Sequence, residues 1–129
     1  MSRYVGIKDS AWELVKKIIR AREKDCYTCG AKRLKSYNAQ AGHYQPVGLV
    51  GSNNTKSWDL RFIHLQCGRC NGVGQGMQCI YRQRLVTELG EEIVADFDKR
   101  VLAKEVSPVG NWKELVEEFK HTLNEINKR

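Results

Sequence analysis

The sequence predicts an α+β fold, with a small strand-and-turn core tied by cysteines, one helix before it and a set of helices after it. Three observations carry this. Apolar residues recur at helical spacing near both ends of the chain. Residues 36–50 between them lack that period and hold Gly and Pro. Two Cys-x-x-Cys pairs, Cys26/Cys29 and Cys67/Cys70, stand 37 residues apart. The 129 residues fit a single domain, 1–129.

Ser10 followed by Glu13 reads as a capping box, which starts a helix over 10–25. Trp12, Val15 and Ile19 form its apolar stripe, with Leu14 and Ile18 beside it. Lys16, Arg20 and Lys24 repeat every fourth residue on the other face, next to Lys17, so that face is basic. The core spans 26–89. It opens with a knuckle at 26–30, continues through short strands and turns at 36–50, and passes a polar loop at 51–57. Residues 60–66 read as a strand, followed by a second knuckle, Cys67–Asn71, and a glycine-rich stretch. A helix then runs from Met77 to Leu89, where Gly90 stops it. Residues 90–129 form the C-terminal helices. One covers 91–103 with Ile93, Val94, Phe97 and Val101 inward. The last starts at Asn111 with Glu114 and carries the stripe Trp112, Leu115, Val116, Phe119, Leu123 and Ile126. That stripe suits either its own domain or a second copy of the chain.

The net charge is +7, unevenly spread. Residues 1–86 hold 15 Lys/Arg against 5 Asp/Glu, and residues 87–129 hold 7 against 10. A basic body with an acidic end points to a polyanionic partner. No apolar run approaches the roughly 18–20 residues of a membrane span. The N-terminus has no apolar signal core, so a cytoplasmic setting and no membrane partner are expected. In that setting paired cysteines bind metal more often than they form disulfides.

A two-residue gap lets both sulfurs of a knuckle face one ion, and two knuckles complete a tetrahedron. Thiolates suit Zn²⁺, and a closed set of four leaves no open position, so the zinc on Cys26, Cys29, Cys67 and Cys70 is structural. A redox pair needs only one such motif. Cys79 reads as a small buried hydrophobe.

His43, His64 and Asn71 lie inside or beside the loop that the knuckles close. Hydrolysis of a phosphodiester needs a base for water and a cation for the developing charge. Histidine titrates near neutrality, and Asn71 offers a hard oxygen suited to Mg²⁺.

Cys-x-x-Cys, then Ala41-Gly42-His43-Tyr44, then His64-x-Gln66-Cys67-x-x-Cys70-Asn71 resembles the His-Me finger, or HNH, nucleases. It is similar to the phage endonuclease VII type of Holliday-junction resolvase, and more so to the NinG/Rap family of phage recombination nucleases. The resemblance covers Cys26 to about Asp98, with Tyr81-Arg82-x-x-Leu85 and Gly90 as a looser third motif. It implies a ββα-metal core with a four-cysteine zinc site. It also implies His43 as general base and Asn71 as ligand of a catalytic Mg²⁺. Two positions depart from the pattern. Gly42 stands where most HNH nucleases have a metal-binding Asp, which leaves His64, or less strongly Asp59, as the second catalytic ligand. Phe62 stands where an Asn usually orients the base, a role that a backbone carbonyl near residue 61 or 62 can take.

The implied activity is Mg²⁺-dependent, structure-selective cutting of branched DNA, a Holliday junction or D-loop, in phage recombination. Lys16, Lys17, Arg20, Lys32, Arg33, Lys35, Arg69, Arg82 and Arg84 are the candidate phosphate contacts. No motif for base-specific readout is present. A junction has approximate two-fold symmetry, so a homodimer is expected, with the C-terminal helices as its interface. Two other readings fit the same residues: a non-catalytic zinc module that binds nucleic acid, and an HNH nicking endonuclease with another DNA role.

Overall fold

A computed structural model describes residues 6–129. The elements in order are α1 (Ile7–Arg22), β1 (Gln40–His43), α2 (Val47–Val50), β2 (Ile63–Gln66), α3 (Gly68–Asn71), α4 (Gln78–Leu89), α5 (Glu91–Leu102) and α6 (Trp112–Asn127). Short 3-10 turns cover Ser36–Asn38, Thr55–Trp58 and Leu60–Phe62.

The two strands pair antiparallel in the register Gln40↔Gln66, Ala41↔Leu65, Gly42↔His64 and His43↔Ile63. Side chains alternate across a strand, so directly paired residues share a face. Ile63 and Leu65, with Ala41 beside them, face a core built from Ala11, Val15, Ile18 and Ile19 of α1, Trp58, and Val116 and Phe119 of α6. The even-numbered positions face the other way. There Tyr44 and Phe62 join Tyr27, with Tyr81 and Leu85 of α4 and Val94, Phe97 and Val101 of α5. The ribbon is thus held between a helix pair on each side, and burying its two faces stabilises by about 1.5–3 kcal/mol per large apolar side chain.

Several boundaries differ from the sequence reading. Helix α1 starts at Ile7, not Ser10. Ser10 is already inside it, its amide donating to the Gly6 carbonyl at 3.1 Å, so no capping box forms. Asp9 in the first turn favours that earlier start through the helix dipole. The helix also ends early, at Arg22, because Glu23 turns extended and its carboxylate accepts the Leu65 amide at 2.9 Å. The expected strand at 60–66 begins only at Ile63. Asp59 accepts the Arg61 amide and winds 60–62 into a 3-10 turn. On α5, Val94, Phe97 and Val101 are buried as expected, but Ile93 falls outside that stripe and is 41% exposed. Cys79 is exposed on α4, opposite to the expectation of a buried hydrophobe, because the inward positions there are Tyr81 and Leu85.

Gly90 ends α4 with φ +94, and Asn111 caps α6 by accepting the Glu114 amide at 3.1 Å. The apolar stripe of α6 packs on α1 of its own chain. No helix among the described residues is long and apolar enough to cross a membrane.

Candidate metal centre and active site

The knuckles converge as their spacing requires. The ligand atoms of Cys26, Cys29, Cys67 and Cys70 lie within 4.8 Å of one another, and the Cys29 and Cys67 sulfurs are 3.8 Å apart. A tetrahedron with Zn–S bonds of about 2.3 Å has edges of about 3.8 Å, so this donor set fits zinc. Each knuckle turns an amide onto its first sulfur: Cys29 N–H to Cys26 Sγ and Cys70 N–H to Cys67 Sγ, both at 3.5 Å. Burial works to push the Cys26 thiol up, but donors led by the Cys29 amide outweigh it and bring it down to about 6. Burial pushes the Cys70 thiol up to about 12. Cys26, Cys67 and Cys70 are buried and Cys29 is exposed at the rim.

Asn71 ends α3, directly after the last thiolate, and its amide is oriented by a relay. Tyr37 O can only accept, so Gln40 Nε2 must donate to it at 2.8 Å, which turns Gln40 Oε1 the other way. Asn71 Nδ2 donates to that oxygen at 2.9 Å, which leaves Asn71 Oδ1 for the space above Gly42.

Gly42 is a glycine for room, not for conformation. A Cβ there would overlap Gln66 Oε1, stand 2.8 Å from Gln66 Cδ and 2.9 Å from Asn71 Oδ1. The aspartate expected at this position in most HNH nucleases has no space, because the Gln66 amide occupies it.

His43 ends β1 on the opposite face. Its ring stacks on Trp12 of α1, with centroids 5.2 Å apart and planes 13° from parallel. Its Nε2 is 2.7 Å from Ser57 O, so Nε2 carries the proton and donates. The orienting carbonyl is thus Ser57, not residue 61 or 62; Phe62 O accepts the Tyr44 amide instead. Among the described residues, Nδ1 makes no hydrogen bond. Burial lowers the His43 pKa, against the Ser57 carbonyl, which raises it. The imidazole is therefore neutral at pH 7, with its lone pair on Nδ1. A pocket lined by Trp12, Val47 and Trp58 opens beside it.

His64 is not brought to Asn71. Its Nδ1 is 2.7 Å from Glu23 Oε2, its Nε2 is 3.1 Å from Arg61 O, and its ring stacks on Tyr27 at 3.8 Å. Arg22 Nη2 also lies 3.3 Å from Nδ1, so both ring nitrogens are engaged within the protein and neither is turned to Asn71. Glu23 is desolvated, which works to raise its pKa, but the contact with His64 leads the effects that lower it overall. Asp59 is likewise engaged, paired with Arg61 at 2.8 Å. Phe62 is buried and stacked on Phe97 at 3.7 Å, so that position serves the α5 core and has no access to His43.

The basic candidates divide by what already holds them. Arg82 pairs with Glu91 at 3.0 Å and Asp98 at 2.9 Å. Arg84 donates to Tyr27 O at 2.8 Å and covers the Tyr27 ring. Lys16 pairs with Glu13, Lys32 with Asp25, and Arg20 donates to Ala39 O. Lys17, Arg33, Lys35 and Arg69 are exposed, and among the described residues no ion pair holds them.

Sequence reasoning missed Thr28 and Ser57, and it quoted Gln66 and Tyr81 within motifs without giving them a role. Gln66 is fully buried; its Nε2 donates to Thr28 Oγ1 at 3.1 Å and Gly76 O at 2.9 Å. Tyr81 donates to Gly42 O at 2.7 Å and holds β1 from below. Gln66 had a readable signal, since it is a lone amide in a strand that is otherwise tied to a cysteine pair.

Residues 4–129 match the family described as Bacteriophage Lambda NinG protein. This chain belongs to the NinG family. The NinG proteins of Escherichia phage 933W and Enterobacteria phage VT2-Sa are each 33% identical to it over 90 residues, which cover 68% of this chain and 42% of theirs. That of Escherichia phage lambda is 32% identical over 90 residues, with the same coverage. The match to this NinG-family chain thus spans less than half the length of these relatives. No solved structure matches it.

Proposed function

We propose that this chain is a Mg²⁺-dependent endonuclease that cuts branched DNA, of the Holliday-junction or D-loop kind, in phage recombination. The observation that carries the reading is a pair of oriented side chains on the zinc-pinned core: a neutral His43 held by Ser57 O, and Asn71 after the last thiolate with its oxygen turned to the space beside Gly42. His43 Nδ1 takes a proton from water, the water oxygen bonds to phosphorus, and the bond to the 3′ oxygen breaks. Mg²⁺ on Asn71, when bound, supplies charge stabilisation for the phosphoryl oxygens and the leaving oxygen. Zinc holds the knuckles and takes no part in the chemistry. Lys17, Arg33, Lys35 and Arg69 offer free charge to the DNA backbone. A homodimer supplies the two active sites that a junction requires.

A second reading, a zinc-containing module that binds nucleic acid without cutting it, is favoured by one feature. His43 and Gly42 project from opposite faces of β1, so the base and the Asn71 oxygen do not share a face.

The test is incubation with a labelled four-way junction, a D-loop and plain duplex, in Mg²⁺ or EDTA, for the wild type and His43→Ala. The nuclease reading expects Mg²⁺-dependent cuts that disappear in the variant while binding persists. Binding without cutting under any divalent metal supports the second reading. Equal cutting of duplex and junction leaves a nicking enzyme with another DNA role.

A further inference from the structure

Gln66 Oε1 is, among the described residues, the buried side-chain oxygen left without a hydrogen-bond partner. A buried amide oxygen without a partner costs about 1–3 kcal/mol, so it calls for an explanation. Its direction is not adjustable. Gly76 O can only accept, so Gln66 Nε2 must face it, and Thr28 Oγ1 fixes the same nitrogen a second time. The oxygen therefore has to point at Gly42. Asn71 Oδ1 arrives at the same place through the Tyr37–Gln40 relay. Two amide oxygens, each oriented by hydrogen bonds on its own nitrogen, thus converge on the gap that a Cβ of residue 42 would fill.

We infer that Gln66 is the second protein ligand of the divalent cation at Asn71, in place of a carboxylate at position 42. This rests on the nuclease reading above and deepens it. Hard cations take amide oxygens, and Mg²⁺ keeps several waters alongside few protein ligands. Both ligands are neutral, so the free protein binds the cation weakly and the DNA phosphate completes the site. Gly42 is then part of the design, since any side chain there removes the space. Thr28 links the site to the zinc: its hydroxyl accepts from Gln66 Nε2 and lies 3.5 Å from Cys26 Sγ, to which it can donate. Thr28 is a positioning residue, and loss of zinc releases Gln66 as well as Asn71.

The experiment is a Mn²⁺ titration of the zinc-loaded, ¹⁵N-labelled chain followed by NMR, with and without a four-way junction whose scissile linkage is a non-cleavable 3′-methylene phosphonate. Sub-stoichiometric Mn²⁺ should broaden the side-chain amide signals of Gln66 and Asn71 and the backbone signal of Gly42 first. Gln66→Met, checked for full zinc content, should weaken Mn²⁺ binding at least tenfold. If Gln66→Met binds Mn²⁺ as tightly as wild type while Asn71→Ala does not, this inference fails and the nuclease reading stands. If Mn²⁺ binds nowhere near Asn71 even with DNA present, both fail, and an ordered water is the partner of Gln66.

Discussion

Gly42→Ala is the smallest change that probes the centre of this structure. The new methyl would overlap Gln66 Oε1 and press on Gln66 Cδ at 2.8 Å and Asn71 Oδ1 at 2.9 Å. Gln66 is 0% exposed, and its nitrogen is held by two partners. Shifting it breaks its bonds to Thr28 Oγ1 and Gly76 O, and each group left unsatisfied costs about 1–3 kcal/mol. Overpacking adds about 1–3 kcal/mol. Against this, alanine gains about 0.5–1 kcal/mol over glycine in a strand. Even at the low end of these ranges the net is a loss of about 2 kcal/mol, which for a domain of this size lowers Tm by at least about 5 °C. Thermal melting of the zinc-loaded variant, with zinc content measured alongside, reads this directly. A Tm within about 1 °C of wild type would refute the close approach of Gln66 to Gly42, and with it the reason that no carboxylate stands at that position.

Four further outcomes follow from the same geometry. Burial lowers the His43 pKa below its ordinary 6.5, so cleavage should rise with pH through a value under 6.5 and be level at neutrality; a rise centred above 7 contradicts a buried, neutral base. The same lowered pKa gives a stability contribution present above 6.5 and lost as pH falls through the folded value, so His43→Gln should flatten the acid limb of a stability–pH profile. Glu23 has a folded pKa below its ordinary 4.5, so its contribution is present above 4.5 and lost as pH falls through the folded value. Glu23→Gln should therefore cost about 2 kcal/mol in urea unfolding at pH 7, and the difference from wild type should shrink in acid. Arg69→Ala should weaken DNA binding and reduce the salt slope by about 1 at unchanged stability, whereas Arg84→Ala should destabilise the fold by about 1 kcal/mol through loss of its contacts to Tyr27. The opposite assignment would overturn the division between free and engaged arginines.

The legible parts of the fold were those set by local pattern. The four cysteines, the stop at Gly90 and the Asn111 cap depend on short spacings, and each appears where its spacing puts it. Errors came where a distant partner decided the outcome. Glu23 leaves the helix for the Leu65 amide, and Asp59 winds the first three residues of an expected strand. His64 illustrates the same limit at the site. Three residues before Cys67, it resembled a metal ligand, but Glu23 and Arg61 occupy both its nitrogens. Position 42 was readable only as a missing Asp. That the space belongs to Gln66 depends on an antiparallel register and on Gly76 O, neither of which periodicity encodes. Charge was legible as a total, yet Arg82 and Arg84 are held by Glu91, Asp98 and Tyr27, so only part of the basic set is free.

The whole site hangs on the four thiolates, so the most direct measurement is the metal content of the purified chain and its cysteine variants by mass spectrometry. One zinc per chain is expected, lost on replacing any one of Cys26, Cys29, Cys67 or Cys70 by Ser and retained in Cys79→Ser. Less than about half an equivalent in fresh wild-type protein, or zinc that survives loss of a knuckle cysteine and depends instead on Cys79 or a histidine, would contradict the account.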